Sequence, residues 1–322
     1  MTINNNFDLS SVLWYKIGGT VKYYLECKNK NDILEAIAFI KENNIAKIFI
    51  FGQGSNVIFA EDYFEGAAVH ISSDKENEVI KIDKEGHVEA FAGELLDSVI
   101  TFSLDHNSVG LEWAGGLPGT VGAAVRGNVG AYGGEIKDTL FSAEILDFSE
   151  EVPKLKTLSN SELEFAYRES FVKMHKSMIV ISAKFNLKLA TDQEIISARE
   201  VYEKNIQNRK DRHPLEYPNC GSVFKNLRDK DQIEKVLSIY PDLKEDVEKK
   251  WYGKVAVATL IERLGFKGFR IGDAQVSEKH ALFIVNLGRA KAADVLEVIS
   301  TIQNKFQETF GFTLETEVEI VK

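Results

Sequence analysis

The chain has 322 residues, of which 44% are hydrophobic, 27% are charged and only 5 are prolines. This composition is typical of a globular protein and excludes a disordered or collagen-like chain, and the length predicts two or three domains. The net charge of −10 argues against a protein that wraps nucleic acid, because that function needs clustered Lys and Arg. An anionic ligand would therefore need a local group of cations.

The cysteines and the N-terminal residues indicate a reducing compartment. Cys27 and Cys220 are too few and too far apart for a disulfide scaffold, and the lack of C-x-x-C and H-x-x-x-H patterns argues against a metal site. Residues 1–10 lack the basic start and apolar run of a signal peptide. No stretch approaches the roughly 18 apolar residues that cross a bilayer. We therefore expect a cytoplasmic protein with no metal, no membrane insertion and no nucleic-acid partner.

In chain order, residues 20–60 predict a β-α-β unit. Residues 21–26 have the pattern of a strand, Asn31 and Asp32 are suited to cap a helix, and residues 47–52 form an apolar strand. The helix repeats its apolar residues with a period of 3.6, at Ile33, Leu34, Ile37 and Ile40. This unit predicts a small α/β layer.

The rest of the chain alternates between strand and helix patterns. Further strands are predicted at 79–82, 87–92, 143–148, 178–186, 281–286 and 313–321. Further helices are predicted at 94–106, 192–209, 256–264 and 292–310. Residues 228–250 are densely charged and predict a solvent-facing insertion.

Two glycine-rich segments are candidates for ligand binding. The first is a turn after the apolar strand, formed by Gly52, Gln53, Gly54, Ser55 and Asn56. Such a turn exposes backbone N–H groups that suit a phosphate, although a plain tight turn is an equal alternative. The second is the tract 115–134, GGLPGTVGAAVRGNVGAYGG. Apolar residues run through this tract, which favours a buried cofactor-binding segment over a polar linker.

Three further motifs carry reactive or charged side chains. Arg168 lies beside Tyr167, and its planar guanidinium suits a carboxylate, although a surface arginine is the simpler alternative. Ser222 follows a basic stretch, but neither G-x-S-x-G nor a Ser-His-Asp order supports a nucleophile. Glu315 and Glu317 share one face of the predicted C-terminal strand, for which an exposed strand edge is the alternative interpretation.

Together these segments resemble the UDP-N-acetylenolpyruvoylglucosamine reductase family. The matching stretches, which occur in the family's order, are IGG (17–19), GQGSN (52–56), GGLPGTVGAA (115–124), NVGAYG (128–133), YRES (167–170), GSVFKN (221–226), the stretch 265–286 and LETEV (314–318). Leu227 stands where family members usually have proline, Asp273 replaces a usual glycine, and residues 228–254 look longer than in compact members.

The resemblance implies an α+β, PCMH (vanillyl-alcohol-oxidase-like) flavin-binding fold with two N-terminal subdomains and a C-terminal α/β substrate domain. The implied bounds are 1–68, 69–200 and 201–312, with residues 313–322 returning to the first subdomain. FAD is expected to be non-covalent, because residues 111–134 contain no His that would attach a flavin. Its expected ligands are Gly52, Gln53, Gly54, Ser55, Asn56, Gly115, Gly116, Pro118, Gly119, Thr120, Gly122, Asn128, Gly130 and Ala131.

The resemblance also implies a reaction. NADPH reduces the flavin, which then reduces the enolpyruvyl ether of UDP-N-acetylglucosamine. Arg168 and Glu317 would stabilise the intermediate, and Ser222 would donate the proton. At Glu317 a neutral carboxyl group would serve the intermediate better than a carboxylate, because a second negative charge would repel it. Arg212, Lys225, Asn226 and Tyr167 would bind substrate, with Arg209 as a further candidate for its diphosphate. We expect a monomer; the alternative function is another FAD-dependent oxidase or dehydrogenase of the same fold superfamily.

Overall fold

The structure, a computed structural model, describes residues 1–73 and 79–322. The helices of these residues are α1 (Lys30–Glu42), α2 (Leu96–Asp105), α3 (Val121–Arg126), α4 (Phe171–Met174), α5 (Asp192–Arg212), α6 (Lys230–Ile239), α7 (Val257–Arg263) and α8 (Ala292–Phe310). The strands are β1 (Thr2–Asp8), β2 (Thr20–Cys27), β3 (Ile48–Phe51), β4 (Val57–Phe59), β5 (Tyr63–Ile71), β6 (Ile80–Ile82), β7 (His87–Phe91), β8 (Ser108–Val109), β9 (Gly130–Ala131), β10 (Gly134–Glu135), β11 (Leu140–Asp147), β12 (Lys154–Ser159), β13 (Met178–Asn186), β14 (Lys188–Leu189), β15 (Asn219–Ser222), β16 (Arg270–Ile271), β17 (Ala274–Val276), β18 (Phe283–Asn286) and β19 (Glu319–Val321). None of the helices in 1–73 and 79–322 is both long enough and apolar enough to cross a membrane.

The chain divides into two compact units. Unit 1 comprises residues 1–7, 20–53 and 63–211, and unit 2 comprises residues 8–19, 54–62 and 212–322. The finer division expected at residues 68 and 200 stays a prediction.

Unit 1 contains two larger sheets. One has the strand order β1-β2-β5-β3, in which β2 and β3 each pair in parallel with β5. The other is antiparallel and has the order β12-β11-β13-β7-β6. The predicted β-α-β unit is confirmed, because α1 connects β2 to β3 and buries Ile33, Ile37 and Ile40. Its apolar stripe therefore packs in the unit 1 core with the sheet residues Leu25 and Val69.

The predicted cap of α1 is wrong. The helix begins at Lys30, and the Asn29 side chain accepts a 3.0 Å hydrogen bond from the N–H of Asp32. Because β2 already ends at Cys27, the cap falls on the first suitable side chain after the strand.

Unit 2 is built on the antiparallel sheet β15-β18-β17-β16 with α6, α7 and α8. Its core includes Phe224 and Phe306. The segment predicted as a solvent-facing insertion, 228–250, is packed on one side, because Ile233 and Val236 of α6 are buried in this core. The charged residues of this segment therefore indicate an exposed outer face, while its apolar residues form a buried inner face.

The predicted strand 313–321 is also wrong in extent. Only β19 is a strand, and it pairs in parallel with β4, so the end of the chain returns to residues 57–59. Before it, Thr316 forms an isolated antiparallel bridge with Phe224. The chain bends at 317–318, so the alternating pattern spans two short pairings with different partners and no continuous strand.

Candidate active site

The two glycine-rich segments meet inside unit 1. The N–H of Gly119 donates a 2.6 Å hydrogen bond to Oε1 of Gln53. A Cβ on Gly52 would collide with the side chain of Thr120, so only glycine permits this approach. Gly52 and Gln53 are therefore in direct contact with the second glycine-rich segment. The alternative of a plain tight turn after β3 does not account for this contact. Gly54, Ser55 and Asn56 belong to unit 2.

The tract 115–134 is an ordered part of unit 1. Backbone hydrogen bonds of 2.8 and 2.9 Å tie Val121 and Gly122 to Glu94 and Ala92, just before α2. A Cβ on Gly122 would lie 2.8 Å from that of Ala92, which explains a glycine at this position. The linker interpretation is therefore excluded by the packing of this segment.

The YRES motif is attached to the same tract. Ala166 and Glu169 pair across a tight turn in which Arg168 has a positive φ of 61°. Nη2 of Arg168 donates a 2.8 Å hydrogen bond to the carbonyl of Gly130, and the guanidinium lies 5.5 Å from the ring centre of Tyr167. The side chain of Arg168 is therefore hydrogen-bonded to the glycine-rich tract, and the alternative interpretation as a plain surface arginine is not supported.

Asn128 holds this turn in place. It is fully buried, and its side-chain amide donates 2.9 Å hydrogen bonds to the carbonyl of Ala166 and to Glu135, while its oxygen accepts from the N–H of Lys137. Ser170 adds a 2.7 Å bond to the carbonyl of Arg126. Asn128 was predicted only as a cofactor ligand, and its hydrogen bonds give it a second role in positioning Arg168.

His70 lies beneath the first glycine segment and was not predicted as a site residue. Its ring stacks on Phe51 at 4.6 Å, its Nδ1 lies 2.5 Å from the hydroxyl of Tyr24, and it hydrogen-bonds to the backbone of Gly52. Burial lowers the pKa of His70 from 6.5 to about 4. The ring is therefore neutral at pH 7, where it supports the Gly52 turn.

In unit 2, the motif around Ser222 pairs with the C-terminal motif. The N–H of Glu317 donates a 2.8 Å hydrogen bond to the carbonyl of Val223, and the N–H of Lys225 donates a 3.0 Å bond to the carbonyl of Glu315. On the other side, the N–H of Val223 donates to the carbonyl of Leu282 at 2.9 Å. Ser222 and Glu317 are thus fixed in neighbouring backbone segments.

Residues 54–56 lie against the same segments. The side chain of Asn56 donates a 3.2 Å hydrogen bond to the carbonyl of Glu317, and its own carbonyl accepts from the N–H of Glu319 at 3.0 Å. Gly221 has a positive φ of 78°, and a Cβ there would lie 3.9 Å from the carbonyl oxygen of Ser55. The turn, the Ser222 motif and the C-terminus therefore converge within unit 2.

The predicted substrate-binding residues of unit 2 have different surroundings. The ammonium of Lys225 pairs with the carboxylate of Glu315, a partner that the sequence analysis did not foresee. Asn226 accepts a 3.1 Å hydrogen bond from the N–H of Val257 at the start of α7. Arg212 is exposed at the end of α5. Lys225 and Asn226 are therefore held by the protein, and Arg212 lies at the surface.

Comparisons with known proteins identify the family. A sequence model described as the UDP-N-acetylenolpyruvoylglucosamine reductase C-terminal domain matches residues 213–321, and one described as an FAD binding domain matches residues 21–155. The chain is 36% identical over 311 residues to the UDP-N-acetylenolpyruvoylglucosamine reductase of Caldicellulosiruptor saccharolyticus, covering 95% of this chain and 88% of that protein. It is also 36% identical over 321 residues to that of Listeria innocua, covering 100% and 95%.

This chain belongs to the UDP-N-acetylenolpyruvoylglucosamine reductase family. The crystal structure of the Thermus caldophilus reductase agrees, with a TM-score of 0.73 at 25% identity and coverage of 100% of both chains. The predicted family, the flavin-binding α+β fold and the assignment as an FAD-dependent oxidoreductase are confirmed. The alternative of another oxidase of the superfamily is not supported.

The residues of unit 1 fit the family's cofactor. Two buried donors near the tract, Nε1 of Trp113 and Nε of Arg209, have no hydrogen-bond partner among the described residues. Trp113 lies against Gly134, where a Cβ would collide with its ring, and Arg209 lies against Gly116. Unpartnered buried donors are costly, and a dinucleotide rich in acceptor oxygens satisfies such groups.

A cluster of possible metal ligands lies elsewhere in unit 1. Asp83, Glu85 and His87 bring one ligand atom each within 4.8 Å of one another. Asp83 is already paired with Lys184 at 2.7 Å and with His87 at 3.0 Å. The ion pair with Lys184 and the hydrogen bond with His87 already occupy the carboxylate of Asp83.

Proposed function

We propose that this protein reduces the enolpyruvyl ether of UDP-N-acetylglucosamine to UDP-N-acetylmuramate, with NADPH as the reductant, and that Arg168, Ser222 and Glu317 carry the reaction. The observation that supports these roles best is the pairing of the Ser222 and Glu317 segments through the 2.8 Å hydrogen bond between Glu317 and Val223. Residues far apart in sequence are thereby held together in a family member whose chemistry needs a proton donor and a charge-stabilising group.

FAD is held by residues of both glycine-rich segments. These residues are Gly52, Gln53, Gly54, Ser55, Asn56, Gly115, Gly116, Pro118, Gly119, Thr120, Gly122, Asn128, Gly130 and Ala131. The bound flavin supplies hydride transfer, first from NADPH and then to the vinyl CH₂ carbon of the substrate. The 2.6 Å hydrogen bond between Gln53 and Gly119 supports the assignment, because it joins the two segments.

Arg168 and Glu317 stabilise charge on the substrate. Hydride addition leaves the adjacent carbon with carbanion character that is delocalised into the carboxylate. Arg168 has a guanidinium anchored to Gly130, so it is pre-oriented for a carboxylate. The carboxyl group of Glu317, if neutral, would donate a hydrogen bond to that charge without adding a second negative charge. Each preorganised donor of this kind contributes about 3–4 kcal/mol to transition-state stabilisation.

Ser222 supplies the proton to that carbon. Its hydroxyl makes no hydrogen bond to another side chain or backbone group in the described part of the chain, so it is available to the substrate. A serine hydroxyl is a weak acid, and it gives up its proton only to a strongly basic carbon or with help from a nearby cation. Lys225, three residues away, is the candidate for that help, although its ammonium pairs with Glu315 in this structure.

The nucleotide part of the substrate is bound by Arg212, Lys225, Asn226 and Tyr167. Asn226 uses its oxygen to accept from Val257, which leaves its amide N–H groups for a ligand. Arg212 is exposed at the end of α5, where its charge suits the diphosphate of the substrate. We further propose that the protein acts as a cytoplasmic monomer in peptidoglycan precursor synthesis, and so supports cell shape and division.

Two measurements on the purified protein test the function. Acid precipitation of the protein should release FAD into the supernatant, since no His in residues 111–134 can hold it covalently. NADPH oxidation beyond one equivalent per flavin should require the enolpyruvyl nucleotide, and UDP-N-acetylglucosamine without the enolpyruvyl group should not support it. Flavin that stays with the polypeptide, or the same NADPH turnover with and without the enolpyruvyl nucleotide, would contradict the proposal.

A further inference from the structure

Arg209 is a buried cation that has no counterion among the residues that the structure describes. It lies on α5 with 8% of its surface exposed. Its side chain packs along the glycine tract, since a Cβ on Gly116 would lie 3.4 Å from its Cδ and 3.2 Å from Cγ1 of Ile206. Its Nε is buried without a hydrogen-bond partner, and no ion pair joins it to an acid in residues 1–73 and 79–322.

Neighbouring residues make the position of Arg209 rigid. Asn205, one helical turn earlier on α5, is buried and donates a 3.2 Å hydrogen bond to the carbonyl of Trp113. Tyr202 donates a 3.0 Å hydrogen bond to Asp97, whose other oxygen accepts from the N–H of Gly116. The face of α5 that carries Arg209 is therefore fixed against residues 113–116.

A buried guanidinium in this state is costly to the protein. Arginine stays charged in proteins, so it cannot escape the cost by losing a proton. Burial lowers the pKa of Arg209, and the phenol of Tyr132 opposes this shift. Arg168, by contrast, has the carbonyl of Gly130 as an acceptor. A protein tolerates the desolvation free energy of such a group where a bound anion offsets it.

We infer that Arg209 binds an anionic oxygen of FAD, and that it does not bind the diphosphate of the UDP substrate. The inference rests on the proposed placement of FAD at the glycine tract. The sequence placed Arg209 with Arg212 and Lys225 as a substrate ligand, but Arg209 belongs to unit 1 with the tract, and the other two belong to unit 2. The anion is either the FAD diphosphate or the N1–C2=O edge of the reduced ring.

The test replaces Arg209 with methionine, which has a similar reach and no charge. The matched control is Lys204→Met, which removes one charge from the exposed face of the same helix. Apoprotein is prepared from each, and dissociation constants are measured for oxidised FAD, reduced FAD and ADP. Thermal unfolding is recorded with and without FAD.

The Arg209→Met apoprotein should be at least as stable as the parent, because an unpaired buried charge is gone. Its dissociation constant for FAD should rise by about tenfold or more, since a hydrogen bond to a charged group has been lost. If the anion is the diphosphate, binding of ADP and of both redox states weakens equally. If it is the ring edge, the affinity for reduced FAD falls most. When the dissociation constant for reduced FAD rises tenfold more than that for oxidised FAD, the midpoint potential of the bound flavin falls by about 30 mV. Lys204→Met should match the parent throughout.

Unchanged FAD binding in both redox states by Arg209→Met would overturn the inference, whatever happens to the KM for the UDP substrate. If that variant does not fold, Arg209→Lys decides the question, because it keeps the charge and loses the planar fork. It should bind FAD more weakly than the parent, and parental affinity would overturn the inference. A parent protein that binds no FAD would instead refute the proposed function, and this inference with it.

Discussion

The backbone N–H of Glu317 donates a 2.8 Å hydrogen bond to the carbonyl of Val223, the residue directly after Ser222. The neighbouring bond, from Lys225 to the carbonyl of Glu315, continues the same short ladder. Because only main-chain atoms form these bonds, side-chain substitutions at Ser222 or Glu317 leave the ladder in place. Loss of activity in such variants can therefore be assigned to the missing functional group.

Ser222→Ala should separate the two half-reactions. Flavin reduction by NADPH should stay near the parental rate, because it needs no proton at the substrate carbon. Reoxidation by the enolpyruvyl nucleotide should slow by about 10² or more, the contribution of a general acid. Stopped-flow absorbance of the flavin measures both steps. Ser238→Ala, which removes a hydroxyl from the exposed end of α6, is the control. Equal slowing of both steps would refute the proton-donor role.

Glu317→Gln should cut substrate reduction sharply, while Glu315→Gln should leave it nearly unchanged. At position 317 the amide keeps the shape and a hydrogen-bond donor but has no proton to give, so a loss near 10² favours proton relay over simple hydrogen bonding. At position 315 the amide retains an oxygen that can accept from Lys225, the partner of Glu315 in this structure. Single-turnover reoxidation at equal flavin content is the measurement. If Glu317→Gln turns over at the parental rate, Glu317 has no catalytic role and the C-terminal segment is only structural.

Asn128→Ala should impair the reaction through Arg168. The variant loses the hydrogen bonds to Ala166 and Glu135, each of which contributes about 0.5–1.5 kcal/mol to folding stability. Misplacement of Arg168 should lower kcat for substrate reduction and spare flavin reduction by NADPH.

Asn160→Ala is the control for stability. Asn160 also donates two hydrogen bonds to backbone carbonyls in unit 1, at 2.7 Å each to Lys137 and Leu140. Neither of these hydrogen bonds involves a residue of the Arg168 turn. Urea unfolding and steady-state kinetics are measured on both variants. If both lose stability and kcat to the same extent, Asn128 has only a general structural role.

His70 should make the protein less stable as the pH falls from 6.5 towards 4. Its pKa is about 4 in the folded chain and 6.5 as an ordinary value, so between these limits the unfolded chain binds a proton that the folded chain does not. Stability from this group is therefore present above pH 6.5 and lost as the pH falls. In His70→Gln, urea unfolding at pH 7, 6, 5 and 4 should show a shallower decline. Parallel declines in the two proteins would mean that His70 does not titrate in this way.

Elements with strong periodicity were predictable from the sequence. The limits of α8 and β13 agree with the prediction, because long apolar repeats of period 3.6 and 2 mark them without ambiguity. The predicted start of α1 and the predicted extent of the C-terminal strand were wrong. Both limits depend on other segments of the chain that the local sequence pattern does not include. Asn29 caps α1 because β2 ends at Cys27, and Thr316 pairs with Phe224 while β19 pairs with β4.

The sequence by itself determined the family, because eight short motifs occur in the family's order. The cofactor and the candidate catalytic residues followed from the family, because each motif contains side chains or glycines that the family's chemistry needs. The tertiary structure alone decided that Asn128 supports the Arg168 turn and that Glu315 pairs with Lys225. It also decided that Nε of Arg209 is buried with no hydrogen-bond partner in the described part of the chain. The physical reason is that hydrogen bonding and burial depend on which distant segments pack together, and a side chain's neighbours along the chain do not reveal its neighbours in space.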